Sequence, residues 1–219
     1  MIFSNILIYF VVIPLLMLGC LFLCRNMKQI RTVAVVGSTA LVALAVYLVV
    51  DFCQLRAAGA DDIMLYQGSW MWFEPLNIHL AVGVDGISVA MLLLSAIISF
   101  ASWKLNPLPK DFFLWLILLS TGVFGFFISI DLFTMFMFYE VALIPMYLLI
   151  GLWGTGRKEY SAMKLTLMLM GGSAFLLLGI LGIYYHSAPA GSPLTMNLLE
   201  ISANDAISHD WQYFLFPIT

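Results

Sequence analysis

Charge is what this chain has least of. Asp, Glu, Lys and Arg make up 10% of its 219 residues, where soluble domains carry roughly 25%. With 63% of residues hydrophobic and a mean hydropathy of +1.04, that shortage excludes an ordinary soluble domain and requires an integral membrane protein in contact with a lipid bilayer. Cysteine is scarce and badly spaced for chemistry. Cys20 and Cys24 lie one helical turn apart with no His or carboxylate beside them, and Cys53 stands alone, so neither a metal site nor an iron–sulfur cluster is supported. His79, His186 and His209 are too scattered to share a metal. Also missing are a Gly-x-Gly-x-x-Gly turn after a strand, a Walker loop, and a nucleophile paired with a base. The chain therefore shows no catalytic residue, no cofactor-binding residue and no metal of its own, and no nucleic-acid partner is expected.

What is present is a series of apolar runs. Hydropathy predicts spanning helices at residues 2–24, 33–52, 86–103, 112–130, 132–153 and 160–185, with a truncated helix from 211. The first run lacks a basic leader and exceeds 20 apolar residues, so it reads as a retained span and not as a cleaved signal peptide. The predicted fold is an all-α integral membrane protein, a multi-pass helix bundle forming a single domain over residues 1–219, with six spans and the start of a seventh. The final run is too short to cross a bilayer, so the chain reads as the N-terminal part of a longer protein.

Helices four and five have almost no connector. An unbroken helix over residues 112–153 would measure about 63 Å, twice the ~30 Å hydrocarbon core, so the chain must reverse near Ser129, Ile130 and Asp131. Asp131 then reads as the N-cap of the fifth helix. Between helices two and three, short apolar runs near residues 63–66 and 76–82 predict a small exterior hairpin, and Trp70, Trp72 and Phe73 are expected as interfacial anchors.

Basic residues set the orientation. Arg25, Lys28, Arg31, Lys104, Lys110, Arg157, Lys158 and Lys164 fall on one side of this topology. The opposite loops carry Arg56 with Asp61, Asp62, Glu74, Glu200, Asp205 and Asp210. The basic side is therefore expected in the cytoplasm and the N-terminus outside, in the periplasm if the membrane is a bacterial inner membrane.

Glu140 is the exception within the apolar pattern. It lies nine residues after Asp131, about 13 Å along a helix and so near mid-membrane. An ionisable group there costs about 2.5–3.5 kcal/mol on insertion scales, so it normally faces a bundle interior, a water cavity or an ion path. The bland reading is a protonated Glu that hydrogen-bonds a neighbouring helix. Pro145, five residues on, frees the carbonyl of Val141 and offers a kink where water can gather, although packing kinks are the commoner use of such prolines. Lys164 is the obvious partner, but it sits about 12 Å away in depth and reads as an interfacial anchor. The partner of Glu140 is therefore expected from beyond Thr219 or from another subunit. Gly122 with Gly125, and Gly171 with Gly172, are expected to let helices approach closely.

The segment YEVALIPMYLLIGLWGTGRKEYSAMKL, residues 139–165, resembles the antiporter-like membrane subunits of respiratory complex I, specifically the M-type or chain 4 type. The likeness extends back to LAVGVDGISV at residues 80–89 and forward through Gly171 and Gly172. It implies proton translocation coupled to NADH:quinone oxidoreduction, with Glu140 matching the family's helix-five glutamate. Pro145 and Lys164 stand as supporting residues. The family's lysine partner would lie past Thr219. NADH, FMN, iron–sulfur clusters and quinone are expected in other subunits, and the partners are other membrane subunits, including L-type and N-type ones. Rival expectations are a subunit of a cation/proton antiporter or membrane-bound hydrogenase, and a non-conducting membrane scaffold.

Overall fold

The computed structural model describes residues 5–24, 26–59, 63–73, 78–102, 109–186 and 194–203. The expected seventh helix from Trp211, the basic residues Arg25 and Lys104, and residues 74–77 lie outside the described residues. A short 3-10 turn, Ile6–Ile8, leads into α1 (Tyr9–Leu23). There follow α2 (Met27–Ala57), β1 (Leu65–Phe73), β2 (Ile78–Val84), α3 (Gly86–Ser102), α4 (Lys110–Ile128), α5 (Leu132–Trp153), α6 (Lys158–His186) and a short α7 (Leu198–Ala203).

Among the described residues five helices are long and apolar enough to cross a membrane: α1 with its leading turn, α2, α4, α5 and α6. The expected sixth, α3, is apolar but has 17 residues, about 25 Å of helix. The structure also departs from the expected bounds of the second helix. At 31 residues α2 measures about 46 Å, and it reaches past the hydrophobic window because Lys28, Arg31, Gln54 and Arg56 are good helix formers that hydropathy does not score.

The core lies among α1, α2, α3 and α4, where Phe10 meets Phe124 with ring centroids 5.6 Å apart and Leu21, Ile30, Leu48 and Leu92 are fully buried. α5 packs on α4, and α6 packs on α5. At the basic end two lysines close helix C-termini: Lys110 Nζ donates to Cys24 O at 2.8 Å and Lys158 Nζ to Leu152 O at 2.8 Å. Each puts a cation where the helix dipole is negative. Phe112 and Trp153, 5.5 Å apart edge to face, bring the start of α4 and the end of α5 to that same end.

The opposite end carries the hairpin. β1 and β2 pair antiparallel, with Trp70 opposite Leu80 and Met71 opposite His79. β1 begins near the first expected apolar run but continues through Phe73, so the aromatics expected as interfacial anchors lie on a strand. Trp70 and Phe73 remain half exposed, and nothing is described of the Trp72 side chain. The register slips between Leu65 and Gly68, where Tyr66 takes a left-handed φ of 59°. Asn5 Nδ2 donates to Tyr66 O at 2.6 Å, and the Tyr66 hydroxyl donates to Asp51, fastening this bulge to the N-terminal turn and to α2.

The predicted reversal is found at Ser129 to Asp131. Ser129 and Asp131 are extended, Ile130 N donates to Ala81 O at 2.9 Å, Leu132 N donates to Met196 O at 3.0 Å, and Leu198 N returns to Ile130 O at 3.2 Å. The turn is thus held between β2 on one side and residues 196–198 on the other.

Candidate functional site

α5 is apolar on all sides, so its orientation is set by where small residues let it approach α4. A Cβ added to Gly122 would lie 2.8 Å from Ala142 Cβ, and one added to Gly125 would strike the Phe138 ring. Phe138 and Ala142 therefore face α4. At about 100° per residue, Glu140 sits about 160° around the helix from both. Its carboxyl is turned away from the four-helix core, onto a face shared with Met137, Ile144 and Tyr147, which are 39%, 62% and 40% exposed.

Glu140 is half-buried, and its Oε1 is buried without a hydrogen-bond partner among the described residues. Leaving a buried polar oxygen unpaired costs about 1–3 kcal/mol. Two apolar grooves flank the same helix. One, of about 540 Å³, runs between the hairpin and α5 past Trp70, Thr134, Phe138 and Val141. The other, of about 380 Å³, lies between α4, α5 and α6 beside Tyr139, Met146 and Leu169. Among the described residues no charged side chain lines either groove.

The residues named from sequence do not form one cluster. Lys164 is exposed on α6. Pro145 is buried within an α5 that continues through it, on the α4 side and about 140° around from Glu140. Its ring packs inward, while the carbonyl it deprives of a donor belongs to Val141, the residue after Glu140. Gly122 and Gly125 mediate the expected close approach. Among the described residues Gly171 and Gly172 do not: both face outward from α6, and a Cβ on either meets nothing there within 4 Å. Among the described residues no group of three or more His, Cys, Asp or Glu is placed to hold a metal.

Two carboxyl sites at the hairpin end were less visible in the sequence. Asp131 caps α5 as expected: its Oδ1 accepts from Phe133 N and Thr134 N, both at 3.1 Å. It is also fully buried, and Oδ2 lacks a hydrogen bond of good geometry. Burial pushes its carboxyl above the ordinary range, and the bonds from Thr134, the His79 amide and Phe133 recover only part of that shift. Asp85 shows the opposite balance. Burial pushes it up, but the bonds from Ser88, including Ser88 N at 2.7 Å, outweigh burial and hold it below the ordinary range. Tyr66 is raised by burial first and by the adjoining Asp51 carboxylate second.

Residues 129–217 match the family described as NADH:quinone oxidoreductase/Mrp antiporter, TM. A chain 4 of NAD(P)H-quinone oxidoreductase from Picosynechococcus sp. is 37% identical over 119 residues, covering 52% of this chain and 22% of that protein. The chloroplastic chain 4 of Agrostis stolonifera is 35% identical over 127 residues, covering 56% of this chain and 25% of that one. The chain thus spans about a quarter of the length of these curated relatives. In fold it is similar to a chain of respiratory complex I from Thermus thermophilus, with a TM-score of 0.78 at 22% identity over 97% of this chain and 42% of that chain. It is also similar to a chain of the Mrp complex from Dietzia sp., with a TM-score of 0.70 at 16% identity over 98% of this chain and 22% of that one. The part of the chain that holds Glu140 and the reversal is therefore the part similar to the NADH:quinone oxidoreductase/Mrp antiporter transmembrane family.

Proposed function

We propose that the chain forms part of a proton-translocating membrane subunit of a quinone-reducing NAD(P)H dehydrogenase, with Glu140 as its proton-binding group. The observation that carries this is the placement of Glu140: a carboxyl near mid-helix in an apolar span, with one buried oxygen unpaired, turned to the side of α5 that α4 does not cover. A carboxyl so placed is ready to take a cationic partner. A cation brought near a carboxyl favours its ionised form, and withdrawal favours the protonated one. Displacement of that cation elsewhere in an assembly would then drive proton release and uptake at Glu140. Lys164 anchors α6 at the interface in this reading, and Pro145 shapes α5 behind the site.

The same proposal makes α3 a sixth span and puts the hairpin and N-terminus outside, with the basic end in the cytoplasm of a bacterial inner membrane. The chain holds no redox group in this reading. NADH, FMN, iron–sulfur clusters and quinone are bound by other subunits, and the neighbours are other membrane subunits, including L-type and N-type ones. The likeness in fold to a chain of the Mrp complex supports a second reading, exchange of a cation for protons.

Glu140→Gln in the assembled enzyme tests the first reading. Proton uptake per NADH oxidised, measured in reconstituted vesicles, is expected to fall while assembly and NADH-dependent quinone reduction persist. Wild-type stoichiometry and rate would refute the assignment. Loss of assembly would assign Glu140 to packing, and loss of cation/proton exchange without dependence on NADH would favour the second reading.

A further inference from the structure

We propose that a single water molecule is bound in the interior of the bundle where α1, α2, α3 and α4 meet, held by Ser38 and Ser99. The inference is independent of the role assigned to Glu140. A void of about 10 Å³ lies at this crossing, bordered by Pro14, Ser38, Ser99 and Ser120 with aliphatic and methionine side chains filling the rest of its wall. Ser38 is 1% exposed and Ser99 8%. The volume is about what one water centre needs, and cavities that stay dry are apolar, whereas this one carries three hydroxyls.

The hydroxyl protons show what is missing. Ser38 Oγ donates to Val35 O at 3.1 Å, and Ser120 Oγ donates to Leu116 O at 2.9 Å. The Ser99 to Ser120 bond of 2.8 Å is then donated by Ser99, since Ser120 has one proton and has already placed it. Among the described residues Ser38 and Ser99 are left with oxygen lone pairs on one void and no donor to fill them. A water supplies two donors from one point and bridges Ser38 on α2 to the Ser99–Ser120 pair of α3 and α4. A cation does not fit the wall, because hard cations need about six oxygen ligands with carboxylate charge among them, and no carboxylate borders the void.

A cryo-electron microscopy map of the assembled enzyme, at a resolution that shows ordered waters, tests this directly. The expected result is one peak within about 2.7–3.2 Å of both Ser38 Oγ and Ser99 Oγ, lost in Ser38→Ala and retained in Ser102→Ala. An empty void in the wild-type map, where other buried waters are resolved, overturns the proposal and needs no variant to fold. A peak that persists unshifted in Ser38→Ala overturns it too, as does a peak with a cation's shell of short oxygen contacts.

Discussion

Replacing Gly122 by Ala should separate α4 from α5, and the size of the effect follows from what the new methyl would meet. Its carbon would lie 2.8 Å from Ala142 Cβ, 2.9 Å from Ala142 N and 3.0 Å from Ala142 Cα. Two of these three are backbone atoms in the middle of α5, so no side chain can swing aside. Ordinary contact begins at 3.4 Å, which leaves a shortfall of about 0.6 Å that only a shift of one helix can supply. Overpacking of this kind costs about 1–3 kcal/mol. Alanine is also the better helix former by about 1 kcal/mol, so the fair comparison is Gly171→Ala, which gains the same propensity into open space. Thermal unfolding of the purified protein in detergent should place Gly122→Ala below Gly171→Ala by about 1–3 kcal/mol. Ala142→Gly removes the shortest contact but not the two backbone ones, and itself costs about 1 kcal/mol of helix propensity, so Gly122→Ala should cost less in an Ala142→Gly background than in the native one. Equal stability of the two single variants, or the same cost of Gly122→Ala in both backgrounds, would refute the close approach of α4 and α5. That approach is also what turns Glu140 outward.

The bounds of α5 were legible because three local signals agree there: a charged cap at Asp131, an apolar run, and a bilayer too thin for one helix to continue. α2 was not bounded as well, since hydropathy reports the thickness of the hydrocarbon core and a helix can run on past it. The two glycine pairs gave the same sequence signal and, among the described residues, opposite outcomes, Gly122 and Gly125 against a neighbour and Gly171 and Gly172 against none. Small residues permit close approach, but only the tertiary arrangement decides which of them is used. The facing of Glu140 was hidden for a related reason: with apolar residues all round α5 there is no polar stripe to mark a side. The burial of Asp131 was not, as it depends on Met196 and Asn197, more than sixty residues away, folding over the reversal.

Two further predictions concern sidedness and the reversal. In a variant with Cys20, Cys24 and Cys53 replaced, an impermeant thiol reagent applied to intact cells should label Ser69→Cys and not Arg157→Cys, and the reverse pattern would invert the proposed orientation. Asp131 should make the junction of hairpin and α5 sensitive to pH. Burial raises its carboxyl in the folded chain, so folding favours the protonated form. That contribution is complete below the ordinary carboxylate value of about 3.9 and is lost as pH rises through the raised folded value. Asp131→Asn keeps an oxygen for the amides of Phe133 and Thr134 and carries no charge at any pH. The wild-type junction should therefore loosen as pH climbs from about 4 toward neutrality, read as faster amide exchange in the first turn of α5, while the Asn variant should change little over the same range. Identical pH profiles for the two proteins would show that burial does not govern the charge of Asp131.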